Sequence, residues 1–169
     1  MKFGICNEIF QEWNDFARMC DYIKDVGYDG VEIAPFTFAD NVNDISAQTR
    51  SEIVARAKES DVEIIGLHWL LVGPDGMHIT TEDKTTRDKT AQYLNDLVDC
   101  CGELGGTRMI FGSPKQRNLA EGQSVESGMA NARGVFEQIL PKLEEYGITF
   151  CLEQLSTQET NFCQTASQT

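Results

Sequence analysis

The chain repeats one pattern of apolar and polar positions: a helical run, a stop, and then a short apolar strand. Glycine stops the helical run in three places, at Gly27, Gly105 and Gly147, and a mostly apolar segment follows each of them. The apolar segment from Val62 to Leu67 comes after a helical run that has no glycine stop. Glycine suits the residue after a helix because it takes the left-handed conformation without a Cβ penalty. The pattern predicts strands that start near residues 2, 28, 62, 107 and 148.

Apolar residues three or four positions apart predict helices between these strands. The clearest sets are Trp13, Phe16, Cys20 and Ile23, then Leu94, Leu97, Val98 and Cys101, then Ala132, Phe136, Ile139 and Leu143. A weaker helix is expected at 46–60, where Thr49 and Glu52 have the spacing of a capping box, and another helix at 81–104. Pro141 is expected to kink or restart the last helix, because proline has no backbone N–H and its ring clashes with the preceding turn.

Alternating strands and helices predict parallel strands joined by right-handed crossovers. Two architectures fit this order, an open doubly wound sheet and a (β/α)8 barrel. The first strand-to-helix turn, at 6–10, lacks a glycine-rich phosphate-binding fingerprint, which favours the barrel. Each βα unit takes about 36 residues, so eight units need about 290, within the usual range of the fold. The sequence therefore predicts an α/β fold: an incomplete (β/α)8 TIM barrel of about five parallel strands and four helices, a single C-terminally truncated domain over residues 1–169.

The composition of the chain argues against certain classes of binding partner and indicates a cellular compartment. The chain has 14 basic and 27 acidic residues, a net charge of −13, and nucleic-acid binding draws most of its affinity from basic patches. No stretch approaches the roughly 20 apolar residues of a membrane span, and the first residues turn polar too early for a signal peptide. The six cysteines form no C-x-x-C pair, which is typical of reduced thiols. We therefore expect a cytoplasmic protein without a nucleic-acid or membrane partner.

Polar side chains follow the predicted strands, at the end where a barrel keeps its active site. These residues are Asn7, Glu8, Glu32, His68, Ser113, Lys115 and Glu153. If the fold is a barrel, Glu32, His68, Lys115 and Glu153 lie at the same end of a curved sheet that carries helices only on its outer face. Each residue also has an ordinary structural interpretation. The two glutamates would then be solvated strand-end carboxylates, His68 a core histidine with one hydrogen bond, and Lys115 and Arg117 solvated loop charges.

Several of these segments together resemble the sugar phosphate isomerase/epimerase family. They are Val31–Phe36, Gly66–Leu71, Phe111–Asn118, Leu152–Leu155 and Glu159–Phe162. This family belongs to the xylose isomerase-like barrel superfamily, which also contains ketose 3-epimerases, hydroxypyruvate isomerase and endonuclease IV. The resemblance implies that Glu153 is both a divalent-metal ligand and the acid–base catalyst, and that Glu159 and His68 bind substrate. Lys115 is a further candidate substrate-binding residue, and the charges of Lys115 and Arg117 both suit a phosphate, although their spacing alone does not establish this role.

The resemblance implies proton transfer next to the carbonyl of a sugar or sugar phosphate, with Mn²⁺, Mg²⁺ or Co²⁺ stabilising the enediolate. In the family, the remaining metal ligands are an Asp, a His and a second Glu from strands six to eight. We therefore expect the 169 residues alone to hold no metal stably and to be inactive. One alternative is a non-catalytic half-barrel that binds a sugar or another protein. The endonuclease IV branch is disfavoured by the negative charge and by the presence of only two histidines.

A half-barrel of this kind is also expected to self-associate. Its first and last strands are both predicted to be sheet edges, and unpaired edges favour pairing with another chain. Its inner face, predicted to include Ile5, Ile33 and Ile65, lacks a covering layer, and exposed apolar patches favour association. A homo-oligomer is therefore expected.

Overall fold

The computed structural model describes all 169 residues, and its centre is a five-stranded sheet in the order β1-β2-β3-β4-β5. The strands are β1 (Gly4–Cys6), β2 (Gly30–Ile33), β3 (Glu63–Leu67), β4 (Arg108–Phe111) and β5 (Thr149–Leu152). Each strand is parallel to the next one along the chain, and each starts within two residues of its predicted position. The sequential order makes β1 and β5 the two edges, as predicted.

Five α-helices connect or follow the strands, one more than predicted. They are α1 (Phe16–Val26), α2 (Ala47–Glu59), α3 (Lys84–Glu103), α4 (Val125–Phe136) and α5 (Leu140–Tyr146). The additional helix arises because the last helical run restarts at Pro141, which lies in the first turn of α5. Proline is tolerated there because the first N–H groups of a helix have no partner within the helix.

The helix ends follow ordinary capping chemistry, with one difference from the predicted caps. The Asp15 and Asp83 side chains accept backbone N–H groups at the starts of α1 and α3. The cap of α2 is Ser46, whose hydroxyl accepts the N–H of Thr49 at 3.0 Å. The predicted capping box at Thr49 and Glu52 is therefore wrong, because the helix begins one turn earlier. No helix combines the length and the apolar character needed to cross a bilayer.

The core lies between the helices and one face of the sheet, as predicted for the outer layer of a barrel. Val31, Ile33, Met109 and Phe111 are at most 1% exposed and belong to a cluster of 32 buried residues. Side chains alternate across a strand, so Glu32, which follows Val31, lies on the opposite, inner face. This alternation determines which strand residues reach the barrel interior.

The expectation that Ile33 lies on the uncovered inner face is wrong, because it shares the helix-covered face with Val31. Ile5 is half-buried and packs against the same core. Ile65 packs over Gly4 and Gly30, where any Cβ would collide with its side chain. These two glycines give Ile65 its space on the neighbouring strands.

Candidate functional site

The carboxyl ends of the parallel strands bring polar side chains from distant parts of the sequence to one edge of the sheet. Cys6 is the last residue of β1, His68 follows β3 directly, and Glu153 follows β5 directly. Glu32 lies in the last half of β2, and Lys115 lies in the short 3₁₀ helix Pro114–Gln116 after β4. The predicted placement at one end of the sheet is confirmed by this topology.

Glu32 and His68 form the best-defined contact at this edge. His68 Nδ1 lies 2.9 Å from Glu32 Oε2, and each side chain is 24% exposed. The hydrogen bond to Glu32 raises the pKa of His68 above its usual value of 6.5, against the opposing effect of burial. The charges of Glu32, Glu153 and Glu8 raise this pKa further. The surrounding carboxylates therefore favour the protonated form of His68 more than an apolar core would.

Cys6 completes a compact group with this pair. One ligand atom from each of Cys6, Glu32 and His68 lies within 4.8 Å of the other two. Burial raises the pKa of the Cys6 thiol, and the neighbouring Glu8 carboxylate raises it further. Glu8 itself has an unusual environment, because its Oε2 is buried and has no hydrogen-bond partner. We name Cys6, Glu32 and His68 the rim cluster.

The carboxylate of Glu153 rests against Gly112, the residue that follows β4. A Cβ at Gly112 would lie 2.5 Å from Glu153 Oε2, so only glycine leaves this space to the carboxylate. The backbone of Glu153 is held in line with the sheet because its N–H donates to Phe111 O at 3.0 Å. The negative charge of Glu153 raises the pKa of His68, so the two side chains interact electrostatically.

Arg117 is the residue that the sequence interpretation placed wrongly. Its side chain is 0% exposed, so the expectation of a solvated loop charge is wrong. The guanidinium donates to main-chain carbonyls of three segments: to Gly112 at 2.9 Å, to Glu153 at 2.7 Å and to Cys163 at 3.2 Å. A further bond reaches Phe162 O at 3.3 Å. Arg117 therefore joins the ends of β4 and β5 to the final loop, and it binds the main chain of Glu153 rather than its carboxylate.

Two predicted substrate-binding residues lie at the surface. Glu159 is exposed, and its carboxylate accepts hydrogen bonds from the Ser156 hydroxyl at 2.7 Å and the Ser156 N–H at 3.1 Å. These bonds lower the pKa of Glu159. Lys115 is also exposed. The structure thus groups His68 with Glu32 and Cys6, holds Glu153 beside Gly112, and leaves Glu159 and Lys115 on surrounding loops.

His78, the second histidine, serves a local structural purpose. Its Nδ1 accepts the N–H of Thr81 at 3.2 Å, which makes it an acceptor and hence unprotonated at that nitrogen. Burial lowers its pKa below 6.5. The two histidines of the chain are therefore shifted in opposite directions by their surroundings.

The fold and the edge of polar side chains define a partial (β/α)8 barrel. The chain belongs to the family described as the xylose isomerase-like TIM barrel, whose model matches residues 20–169. No curated protein is significantly similar to it in sequence.

Solved structures share this fold at low sequence identity. A D-psicose 3-epimerase structure determined in the presence of D-fructose has a TM-score of 0.79 and 18% identity, over 99% of this chain and 57% of that one. D-Psicose 3-epimerase with D-tagatose from Clostridium cellulolyticum H10 has a TM-score of 0.77 and 20% identity, with the same two coverages. For 3-keto-D-glucoside 4-epimerase from E. coli the TM-score is 0.71 and the identity 18%, over 92% of this chain and 57% of that one. The chain therefore spans 57% of the length of these three structures.

Proposed function

We propose that the chain forms the N-terminal part of the active site of a divalent-metal-dependent isomerase or epimerase. The reaction moves a proton next to the carbonyl of a sugar or sugar phosphate, as in a ketose 3-epimerase or hydroxypyruvate isomerase. The observation that carries this proposal is the Glu153 carboxylate, which occupies the space of a missing side chain at Gly112 at the catalytic end of a barrel. Membership in the xylose isomerase-like family and the fold shared with sugar epimerases support it.

The chemistry of Glu153 fits a hard divalent cation such as Mn²⁺, Mg²⁺ or Co²⁺. Carboxylate oxygens are the ligands these ions prefer, and the carboxylate is left available because Arg117 binds the main-chain carbonyl instead. When bound, the metal would lower the cost of the negative charge that develops on the substrate oxygens during proton removal. Glu153 supplies only one ligand. We therefore propose that stable metal binding needs further ligands from βα units beyond these five.

We propose the following roles for the chain's own residues in proton transfer and substrate binding. Glu153 accepts the proton from the carbon beside the carbonyl, which requires hydrogen-bonding reach to that proton. Inversion of that carbon needs a second acid on the opposite face of the sugar, which we propose comes from βα units beyond these five. His68 uses Nδ1 for Glu32, which leaves its Nε2–H to donate to a substrate hydroxyl. Glu159 accepts from a second hydroxyl, and Lys115 meets a phosphate when the sugar carries one. The six cysteines are all free thiols, in keeping with our proposal of a cytoplasmic enzyme.

Complementation tests this proposal. The 169 residues alone are expected to show no turnover with Mn²⁺ or Co²⁺ on a panel of ketoses and hydroxypyruvate. Adding a separately expressed half with strands six to eight from a full-length relative is expected to restore metal-dependent activity. In the complemented enzyme Glu153→Gln should lower the rate by at least about 10²–10⁴-fold, the usual effect of losing a general base. Glu145→Gln, an exposed carboxylate on α5, is the matched control and should have no effect.

Gly112→Ala gives a second test that leaves Glu153 in place. The new methyl group displaces only the end of a flexible side chain, so folding should persist while the rate falls by about 10²-fold, as small misplacements of reacting groups do. Turnover by the 169 residues alone would contradict the incomplete site. Full activity of complemented Glu153→Gln would contradict the role of Glu153. Sugar binding without turnover by the complemented protein would favour the non-catalytic half-barrel instead.

A further inference from the structure

The rim cluster combines three different metal-binding side chains on three adjacent strands. Cys6 and Glu32 are register partners in the β1–β2 pair, so the pleat places their side chains next to each other. His68 is fixed just beyond them because its N–H donates to Ile33 O at 2.9 Å. The thiol, carboxylate and imidazole atoms all lie within 4.8 Å of one another. The register of β1 with β2 and the hydrogen bond from His68 to Ile33 produce this closeness.

We propose that Cys6, Glu32 and His68 bind a thiophilic divalent cation of the Zn²⁺ class. Sulfur, nitrogen and carboxylate oxygen together are a donor set that Zn²⁺ and Co²⁺ accept, whereas Mg²⁺ and Mn²⁺ favour oxygen alone. This site differs from the metal centre proposed at Glu153 in its strands and in its chemistry. The two proposals share His68, but Cys6 and Glu32 touch no substrate in the proposed function. Co²⁺ binding by the 169-residue chain therefore tests this site without requiring turnover.

Glu8 provides a separate observation at the same place. It lies in the 3₁₀ helix Asn7–Trp13 that follows β1 directly, and its Oε2 is buried without a hydrogen-bond partner. A buried carboxylate oxygen without a partner is costly, and its influence on the pKa of Cys6 shows that the two groups are neighbours. The group of ligand atoms within 4.8 Å of one another contains only Cys6, Glu32 and His68, so Glu8 adds a negative charge beside the proposed site and is not assigned as a ligand.

The charges around the rim cluster also favour a cation. Glu8, Glu32 and Glu153 all act on His68 as negative charges. Binding displaces the thiol proton of Cys6 and the proton that His68 shares with Glu32, as metal binding to such ligands generally does. The bound ion then replaces these protons as the positive partner of the surrounding carboxylates.

Cobalt titration of the 169-residue chain tests the proposal, because a thiolate bound to Co²⁺ gives a charge-transfer band in the near ultraviolet. We expect one equivalent of Co²⁺ to produce this band and Zn²⁺ to remove it by competition. Cys6→Ser should abolish the band. Cys151→Ser is the matched control, since Cys151 is a free, half-buried cysteine on β5, and it should leave the band unchanged.

Two further variants separate the possible outcomes. Glu32→Gln should weaken Co²⁺ binding by at least about 10-fold, because changes even to the outer partners of a metal site cost 10–100-fold. It also tests the site if Cys6→Ser fails to give a native far-ultraviolet circular dichroism spectrum. Glu153→Gln should keep the band, although it abolishes turnover in the complemented enzyme. Absence of a band in the unmodified chain, or a band that survives Cys6→Ser, would overturn the proposal.

Discussion

The pKa of His68 depends on carboxylates that lie on or just after three different strands, β1, β2 and β5. A lone histidine after an apolar strand indicates little by itself, and a core position was the favoured interpretation of His68 taken alone. The structure adds Glu32 at 2.9 Å and the charges of Glu8 and Glu153. These carboxylates outweigh the burial that would otherwise favour neutral imidazole. The pKa of His68 is therefore sensitive to whether Glu8, Glu32 and Glu153 are in place around it.

The two histidines should titrate on opposite sides of pH 6.5. The pKa of His68 is raised by Glu32 and that of His78 is lowered by burial, so a two-histidine NMR titration resolves both. Glu32→Gln should lower the pKa of His68 and leave that of His78 unchanged. Because the native pKa of His68 is raised, its stabilising contribution is complete below pH 6.5 and is lost as the pH rises through the native pKa. A His68 pKa below that of His78 would contradict the described contact.

Residues that act through long-range contacts were beyond prediction from the sequence. Glu153 and His68 were singled out from the sequence because barrel active sites lie at the strand ends. Arg117 was misinterpreted because its partners, such as Glu153 O and Cys163 O, lie 36 and 46 residues away. The polar segment around it is typical of a solvated loop. Only the folded chain shows that its guanidinium replaces solvent for several carbonyl groups.

Among the secondary-structure elements, the strands were predicted more accurately than the helix ends. A short apolar run after the end of a helix predicts the start of a strand to within two residues. The reason is that the helix ends at the same place where the spacing of apolar residues changes from helical to strand-like. The bounds of α2 were predicted at 46–60 and are Ala47–Glu59, but the cap was assigned to Thr49 instead of Ser46, because both are good capping residues. The 3₁₀ helix Val42–Asp44, which precedes Ser46, is not indicated by the apolar pattern.

Gly66 shows how closely β3 and β4 approach each other. A Cβ at Gly66 would collide with the main-chain carbonyl of Arg108, and Gly66 and Arg108 are register partners. Gly66→Ala should therefore lower the free energy of unfolding by more than about 3 kcal/mol, measured by urea denaturation, since backbone must move to relieve the contact. Gly134→Ala, in open space on α4, is the control. It should raise stability by up to about 1 kcal/mol, the difference in helix propensity.

The whole molecule has one covered and one uncovered face, and this asymmetry has a testable consequence. The edge strands β1 and β5 each have only one neighbouring strand within the chain, and unpaired strand edges promote pairing with other chains. At micromolar concentration the 169 residues should sediment as dimers or larger species. The separately expressed half with strands six to eight should reduce this self-association by occupying the edges. A sharp monomer peak with cooperative unfolding would contradict the expectation.

The choice of a barrel over an open sheet was correct. It was based on the absence of a glycine-rich phosphate-binding fingerprint in the first strand-to-helix turn and on the polar side chains at the strand ends. The strand order and one-sided helix layer agree with the barrel. The inner face was predicted less well, since Ile33 points to the helices while the glycines Gly4 and Gly30 make room for Ile65. Alternation along a strand shows that its faces differ, but it does not show which face the helices cover.

Proton exchange with solvent tests the central proposal most directly. If Glu153 removes a proton next to the carbonyl, the complemented enzyme in D₂O should form product with deuterium on the carbon whose configuration changes. The replacement proton reaches that carbon from solvent or from a group equilibrated with solvent, because the original one leaves on Glu153. Mass spectrometry or NMR of the product sugar measures this incorporation, and complemented Glu153→Gln should show neither turnover nor exchange. Product that retains the substrate's own hydrogen would contradict proton transfer through Glu153.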